Sequence, residues 1–426
     1  MRLARQARGW RQEDLGAATG YSRSTISRLE TGSRAGTDIT MIRAVAAKVG
    51  VPPAFLGAVL RLPGPPPTTV AATAPPAEED DVRRRELLAL GGAAIVGAIP
   101  ARAGASTVAG PAGGELLSTL TASGPPDIRP WTSSRLQAAY RHVATAFTEC
   151  RYHEAAAALT TLTAAARTTS ASAHGHAKDF ATGILVRAYT LCSELGVKAA
   201  DNSLAWVTAD RAFTLADALG DPILIGIAAR HAAIAMRRNG HHSGGLRLLE
   251  STASELDGYA GTGSRPLLSA LGSLHTAAAF NHAQTGHTHA ALDAIDHAQE
   301  LAARVGDCET RSVTPFNTTT VTEYEISVRN ALGDSAGALQ AAALIRPGAL
   351  STPERLARFG LDLARAWHRH GHPDKALHAL IRAEHHGPED VRRPSVQALI
   401  AEIAAAPNPP AGVREFAART GAAPVR

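Results

Sequence analysis

QEDLGAATGYSRSTISRLETG, residues 12–32, is the stretch around which the rest of this chain is organised. It has the pattern of two short helices joined by a tight turn, the first from Gln12 to Thr19 and the second from Arg23 to Thr31. Gly20 can adopt the left-handed conformation that a sharp turn between helices requires, and Ser22 is placed to cap the second helix. The stretch therefore predicts a helix-turn-helix.

The two predicted helices have complementary apolar faces. Ile26 and Leu29 of the second helix are one turn apart and point the same way. They can pack on Leu15 and Ala18 of the first helix. The opposite face of the second helix is short, polar and basic, and consists of Arg23, Ser24, Ser27 and Arg28.

The order and spacing of these residues resemble the Cro/CI-type (xenobiotic response element, XRE) helix-turn-helix regulators over about residues 1–60. Gln12 at the first helix start, Gly20 at the turn and the ending Leu29-Glu30-x-Gly32 are the matching features. The resemblance implies that the second helix enters the major groove of double-stranded DNA and that the first helix start holds a phosphate. The DNA contacts expected on this basis are Gln12, Arg11, Arg23, Ser24, Thr25, Ser27, Arg28 and Arg43.

The chain departs from the family pattern in two places. Arg11 stands where the family usually has a capping Ser or Thr, so either the first helix is weakly capped or Arg11 itself reaches a phosphate. Only eight residues precede Gly9, fewer than the family devotes to its first helix, and a start codon further upstream is therefore expected.

The formal charge of the chain is concentrated beside this motif. Residues 1–60 contain nine Arg and Lys against four Asp and Glu, a surplus of five that equals the net charge of +5 for all 426 residues. This asymmetry is expected of a nucleic-acid-binding module and disfavours the alternative of an ordinary helical hairpin with a solvated basic face. Arg5, if it lies near DNA, is expected at a phosphate.

Composition predicts an all-α chain with more than one domain. The length of 426 residues exceeds one compact core, and 45% hydrophobic residues with abundant alanine argue against disorder. The three cysteines, Cys150, Cys192 and Cys308, are widely spaced and predict neither a disulfide framework nor a zinc site. No secretory signal opens the chain, so a cytoplasmic location is expected.

Two further helices, Asp38 to Val49 with Val45 and Val49 inward and then Pro52 to Leu60, complete a predicted five-helix DNA-binding domain over residues 1–60. A linker rich in Pro, Gly and Ala follows at 61–130.

An unusual segment interrupts the predicted linker. VRRRELLALGGAAIVGAIPARAGA, residues 82–105, resembles a twin-arginine export signal, but its internal position disfavours cleavage. Its uncharged run of 15 residues is shorter than a membrane span needs, so a linking segment that stays uncleaved in the cytoplasm is expected, with no membrane partner.

The region from 131 to 426 repeats a short pattern of a glycine, a polar turn and a small-Leu pair. Each copy is expected at the turn inside a helix pair, and six or seven pairs are predicted between 131 and 420. The four clear copies are NGHHSGGLRLLE (239–250), TGHTHAALDAID (285–296), LGDSAGALQAAA (332–343) and HGHPDKALHALI (370–381), and a weaker copy surrounds 151–159.

This pattern resembles the tetratricopeptide repeat, and its longer spacing leaves other helical-pair solenoids open. With the first domain it resembles actinobacterial-type regulators in which a Cro/CI-type domain precedes tetratricopeptide-like repeats, as do the stretches 204–212 and 364–384. The resemblance implies a homodimer whose repeats bind a peptide, a small molecule or a protein effector. Candidate ligand contacts on the first helices of the pairs are Arg230, Asn281, Asn317 and Arg329.

Catalytic motifs are not evident in the sequence. No phosphate loop, nucleophile elbow or paired-acid motif is present, so we expect no enzyme, no catalytic residue and no cofactor. Clustered histidines fall in the predicted turns, where a polar residue that bonds free backbone groups is sufficient, so no metal site is expected; they are His241, His242, His287, His289 and His372. The sequence thus favours a transcriptional regulator with a sensing and dimerising repeat domain. The alternative is a scaffold or antitoxin-like adaptor, in which the repeats bind a protein partner and DNA binding is secondary.

Overall fold

The computed structural model of the chain describes residues 5–6, 8–31, 45, 48–49, 129–259, 264–306 and 315–422. Regular structure in these ranges is entirely helical, which confirms the all-α fold class. The predicted linker up to 128, its segment 82–105, and the residues Arg43 and Cys308 lie outside the described ranges. No described helix is long and apolar enough to cross a membrane.

Sixteen α-helices and one short 3₁₀ helix follow one another in the described ranges. The N-terminal helices are α1 (Gln12–Thr19) and α2 (Arg23–Thr31). The C-terminal helices are α3 (Ser133–Thr148), α4 (Tyr152–Ser172), α5 (Gly175–Ala199), α6 (Asn202–Leu219), α7 (Pro222–Arg238), α8 (His242–Asp257), α9 (Arg265–Gln284), α10 (Thr288–Val305), α11 (Thr318–Leu332), α12 (Ser335–Ala343), α13 (Pro353–Arg369), α14 (Pro373–His386), the 3₁₀ helix Asp390–Arg392, α15 (Pro394–Ala404) and α16 (Val413–Thr420).

The turns inside the helix pairs share one backbone geometry. The glycines of the four repeat segments all have a positive φ, from 78° at Gly286 to 81° at Gly240 and Gly371. The next residue donates its backbone N–H to a carbonyl five positions back, as His241 does to Met236 at 2.9 Å. This is the Schellman ending of a helix, which satisfies free carbonyl groups and reverses the chain. The turns predicted from the repeated glycines are therefore confirmed.

Two earlier pairs make the same turn without glycine. Cys150 between α3 and α4 has φ 60°, and Ala200 between α5 and α6 has φ 58°. Each is followed by the same backbone bond, from Arg151 to Ala146 and from Asp201 to Gly196, both at 2.8 Å. The repeated-glycine pattern therefore predicts the turn at Cys150 only weakly and does not predict the turn at Ala200.

Alternate helices form the inner layer of the C-terminal region. The odd-numbered helices from α3 to α13 each contact the next odd-numbered helix as well as their own pair partner. Close crossings depend on small residues, since a Cβ on Gly196 would lie 2.6 Å from the backbone nitrogen of Ala205. Helix α13 also contacts α3, so the superhelix completes a turn and its sixth pair meets its first.

A buried ion cluster lies at this closure. The ammonium group of Lys198 on α5 is 2.9 Å from Glu354 Oε1 at the start of α13 and 3.1 Å from Asp390 Oδ1 in the 3₁₀ helix. The hydroxyl of Tyr152 on α4 donates to Asp390 Oδ2 at 2.5 Å. All four side chains are almost completely buried.

The cluster keeps its charges despite burial. Burial by itself would raise the pKa of Asp390, but Lys198 and Arg393 outweigh it and lower that pKa to about 2. Because the folded-state pKa is lowered, this carboxylate stabilises the fold above its unfolded pKa of about 3.9, and the contribution is lost as the pH falls towards 2.

Replacing Lys198 with methionine should strongly destabilise the protein. The substitution removes the cation that two buried carboxylates share and leaves each with one arginine, Arg355 for Glu354 and Arg393 for Asp390. Breaking a buried ion pair in this way typically costs about 3–5 kcal/mol. Urea denaturation of the full chain, followed by far-UV circular dichroism, measures the change. The control is Lys375→Met, because Lys375 is exposed and stacks on Trp367 at 4.3 Å. Equal losses in the two variants would show that the cluster does not hold the superhelix closed.

Replacing Ala200 with glycine should stabilise the protein by about 0.5–1 kcal/mol. A left-handed conformation costs a residue with a Cβ roughly 1–2 kcal/mol, partly offset by the greater backbone entropy of glycine. Ala157→Gly is the control, since Ala157 is exposed inside α4 and the same change there should cost about 1 kcal/mol. The same denaturation assay compares the two, and effects of the same sign would contradict the strain at Ala200.

Candidate nucleic-acid interface

The turn between α1 and α2 is tight and depends on two glycines. Gly20 has φ 75°, and the backbone N–H of Tyr21 bonds to the Gly16 carbonyl at 3.1 Å. A Cβ on Gly16 would lie 2.6 Å from the Tyr21 carbonyl oxygen, so a larger residue would force the helices apart. The predicted turn at Gly20 is confirmed. The sequence analysis did not single out Gly16, although a second glycine four residues before the first is visible in the sequence.

The predicted cap and core of the second helix are confirmed. The Ser22 hydroxyl accepts from the Thr25 backbone N–H at 3.2 Å. Ile26 and Leu15 are fully buried, and Val45 and Val49 belong to the same hydrophobic cluster, which continues into the repeat region. The apolar faces of α1 and α2 therefore share one core with residues that follow them in the chain.

The start of α1 is capped from within the helix. The Asp14 carboxylate accepts the Arg11 backbone N–H at 2.7 Å, while the Arg11 side chain, which has no acceptor atom, stays exposed. The weak cap expected at Arg11 is thus partly compensated by Asp14. Arg11 remains positioned at the surface beside the helix start.

A buried ion pair ties the N-terminal segment to the end of α2. Arg5 donates from Nε and Nη2 to the two oxygens of Glu30 at 2.8 and 3.0 Å, and from Nη1 to the Trp10 carbonyl at 2.6 Å. Its guanidinium is therefore enclosed and held by groups of the protein itself, so the structure does not present Arg5 to a phosphate. Gln12 is expected to hold a phosphate, but its side-chain amide also donates to Glu30 at 2.9 Å. At least one N–H of that amide is therefore bonded within the protein.

The role of Glu30 has no signal in the sequence. Glu30 is the only carboxylate among residues 15–37, and nothing in its spacing marks it as the partner of Arg5, 25 residues away. Both sides of this pair are determined by the tertiary fold. A bidentate, buried pair of this kind is geometrically specific and restricts movement of the recognition helix against the N-terminal segment.

The outer face of α2 presents part of the predicted DNA-binding set. Arg23 is 69% exposed and donates to Glu13 on α1 at 3.1 Å. Ser24 is exposed, with its hydroxyl 2.9 Å from that of Ser22, and Thr25 and Ser27 are half-buried. The side chain of Arg28 lies outside the described set. The structure therefore brings together Arg23, Ser24, Thr25 and Ser27 on one helix beside Arg11 and Gln12 on α1.

The predicted ligand contacts of the repeat region mostly serve the scaffold. The Asn281 amide is buried and donates to the His242 carbonyl at 2.9 Å, which joins α9 to the start of α8. Asn317 caps α11 by accepting from the Thr320 backbone N–H at 2.9 Å. Arg329 is held by Glu325 at 2.7 Å and Asp334 at 2.8 Å. Only Arg230 of the four points into the interior of the superhelix, where its guanidinium bonds to the Tyr324 hydroxyl.

Histidine and cysteine side chains form no cluster of metal-binding size within the described residues. His241, His287 and His372 lie at helix N-cap positions in the turns, as predicted, but none of these side chains bonds a free backbone N–H of its helix, so their predicted capping role is wrong. The described ranges contain no group of three or more His, Cys, Asp or Glu side chains arranged to hold a metal ion. Cys150 and Cys192 are free and buried, and burial raises the pKa of each thiol, to about 12 for Cys150.

Comparison with known proteins gives a result for the N-terminal region alone. A family model described as helix-turn-helix matches residues 1–56. No curated protein and no solved structure gives a significant match to the chain. The match agrees with the α1–turn–α2 geometry and supports a DNA-binding regulator. The match over residues 1–56 therefore supports a helix-turn-helix of the XRE type in this part of the chain.

Proposed function

We propose that this protein is a sequence-specific transcriptional regulator that acts in the cytoplasm, with α2 as its recognition helix. The observation that supports it best is the exposed polar and basic face of α2 on a core fixed by Leu15 and Ile26. The charge surplus of residues 1–60 adds the sequence-independent attraction to the phosphate backbone.

The base contacts are assigned to Arg23 and Arg28, with Ser24, Thr25 and Ser27 beside them. Arginine donates two hydrogen bonds to O6 and N7 of guanine in the major groove. The bond from Arg23 to Glu13 is no obstacle, since both side chains are more than 60% exposed and such pairs contribute less than about 1 kcal/mol. Arg11, Arg43 and the start of α1 at Gln12 are assigned to phosphates.

Replacing Arg23 with alanine should reduce sequence specificity. Loss of a bidentate contact to guanine should weaken operator binding by roughly 5- to 150-fold and leave random-duplex binding much less changed. The operator is first identified by genome-wide mapping of bound DNA, and both affinities are then measured across a salt series.

The matched variant is Arg11→Ala, which removes the same charge from the other helix. It should lower the affinities for operator and for random DNA alike, and it should reduce the slope of log affinity against log salt concentration by about one. If Arg23→Ala also lowers both affinities equally, α2 does not use Arg23 to recognise bases.

The repeat region is proposed to dimerise the protein and to sense an effector, which is a peptide, a small molecule or a protein. Stacked helix pairs bury one continuous core and leave an extended concave surface, which is the usual binding surface of such arrays. An adaptor resembling an antitoxin remains the second candidate. It is favoured by the same concave surface, and it differs in that the repeats would hold a stoichiometric protein partner.

Dimerisation predicts a two-fold symmetric operator. The full chain should have twice the monomer mass in solution, and its footprint should cover an inverted repeat whose half-sites are about one helical turn apart. Sedimentation equilibrium with and without the operator measures the mass. A monomer under both conditions would refute the dimer, and a protein partner that copurifies in equal amount and leaves operator affinity unchanged would favour the adaptor.

A further inference from the structure

The interior of the superhelix contains more positive than negative side chains. Seven cations and five carboxylates of α5, α7, α11, α13 and the segment at the 3₁₀ helix are buried or half-buried in this region. The cations are Lys198, Arg230, Arg237, Arg355, Arg358, Arg365 and Arg393, and the carboxylates are Glu194, Glu323, Glu354, Asp362 and Asp390. The carboxylates are already paired, since each lies within 4 Å of a cation. The surplus of two positive charges has no counterpart in this set.

Several guanidinium groups have buried N–H atoms without an acceptor. They are Nε of Arg230, Nη1 of Arg237 and Nε of Arg393. The guanidinium of Arg237 stacks on the Phe280 ring at 4.4 Å and has no carboxylate within 4 Å among the described residues. A buried donor left unpaired is costly, so three such donors in one region require a reason.

The surplus charge is also evident in the titration of neighbouring groups. Burial, with Arg238 close by, lowers the pKa of Arg237 to about 10. Burial likewise lowers the pKa values of Arg238 and Arg365, and Arg393 adds to both effects. Burial would raise the pKa of Tyr324, yet Arg230 and Arg358 outweigh it and lower that pKa below its ordinary value.

Three of these arginines are not sealed in a core. The side chains of Arg358, Arg365 and Arg393 keep 31%, 29% and 20% exposure. Burial is nevertheless the largest influence on the pKa of Arg365. A side chain that water reaches while protein surrounds most of it lies in a groove or cleft.

The spacing of the arginines places two pairs on opposite walls. Arg230 and Arg237 are seven residues apart on α7, and Arg358 and Arg365 are seven residues apart on α13, which is two helical turns or about 10 Å in each case. The Tyr324 ring lies between the first members, 5.7 Å from the Arg230 guanidinium and 4.7 Å from that of Arg358. The first helices of successive pairs run in the same direction. Arg237 therefore lies two turns beyond Arg230 on α7, and Arg365 lies two turns beyond Arg358 on α13, towards the same end of the interior.

We propose that the cleft between Arg237 on α7, Arg365 on α13, and Arg393 binds a small polyanion that carries phosphate or carboxylate groups. The planar guanidinium matches both groups with two parallel hydrogen bonds. The ligand supplies acceptors for unpaired N–H groups and neutralises the surplus charge of the interior. This inference deepens the sensing half of the proposed function and names the chemical class of its effector.

The test measures binding of pyrophosphate and of citrate to the full chain without DNA. Calorimetry and thermal unfolding are compared with sodium chloride at equal ionic strength. At least one anion should bind and raise the melting temperature above the chloride value. Response to pyrophosphate alone identifies a phosphate ligand, and response to citrate alone identifies a carboxylate ligand.

Arg237→Gln and Arg365→Gln should each lower the affinity for the anion by about tenfold or more, which is the usual effect of removing one charged hydrogen-bond partner. Arg419→Gln is the matched control, since it removes the same charge from a surface pair with Glu384 and should leave affinity unchanged. Without anion, Arg237→Gln should unfold at or above the wild-type temperature, because it removes an unpaired charge that the fold must otherwise accommodate. A merely structural arginine would lower that temperature.

The proposal is overturned if neither anion binds beyond the chloride control, or if Arg419→Gln weakens binding as much as Arg237→Gln does. Adding the bound anion to the protein–operator complex then separates the two proposals. Binding that leaves operator affinity unchanged supports the anion site and refutes a sensing role for it. Absence of anion binding in a protein that still recognises its operator refutes the site alone.

Discussion

The contact of Lys198 with Glu354 and Asp390 is the interaction on which the repeat region depends. In a stack of helix pairs each pair contacts only its neighbours, and nothing local determines whether the stack stays open. Three charged groups from α5, α13 and the 3₁₀ helix cannot each be buried alone, because an isolated buried charge costs several kcal/mol. Their burial together makes the first two pairs and the sixth pair meet.

The same closure determines which side chains share the interior. Tyr324 on α11 lies between Arg230 on α7 and Arg358 on α13, although the two arginines are more than 120 residues apart in sequence. The left-handed turns inside the pairs set the direction of the inner helices and therefore the side to which each arginine points. Cys150 and Ala200 adopt this strained conformation because the stack needs the turn at those places, whatever residue is there.

The N-terminal region also contains a buried ion pair that joins distant parts of the chain. Glu30 accepts hydrogen bonds from both Arg5 and Gln12, so the end of α2 is held by donors from two other parts of the N-terminal region. Rigidity of this kind lowers the entropy lost when a helix is placed in the major groove. The charges proposed to contact DNA and those inside the superhelix thus differ: Arg23 is exposed and loosely paired, whereas the superhelix charges are buried or half-buried.

The sequence by itself determined the local elements. Residues 12–32 predicted both helices, the turn at Gly20, the cap at Ser22 and the buried positions Leu15 and Ile26, since caps, turns and apolar spacing are properties of neighbouring residues. Repeated glycines likewise predicted four of the pair turns. Tertiary structure alone decided the partner of Arg5, the scaffold roles of Asn281, Asn317 and Arg329, and the meeting of Lys198 with Asp390 across 192 residues. Those contacts join side chains whose separation in sequence follows no period, because they depend on how far the superhelix has turned when its ends meet.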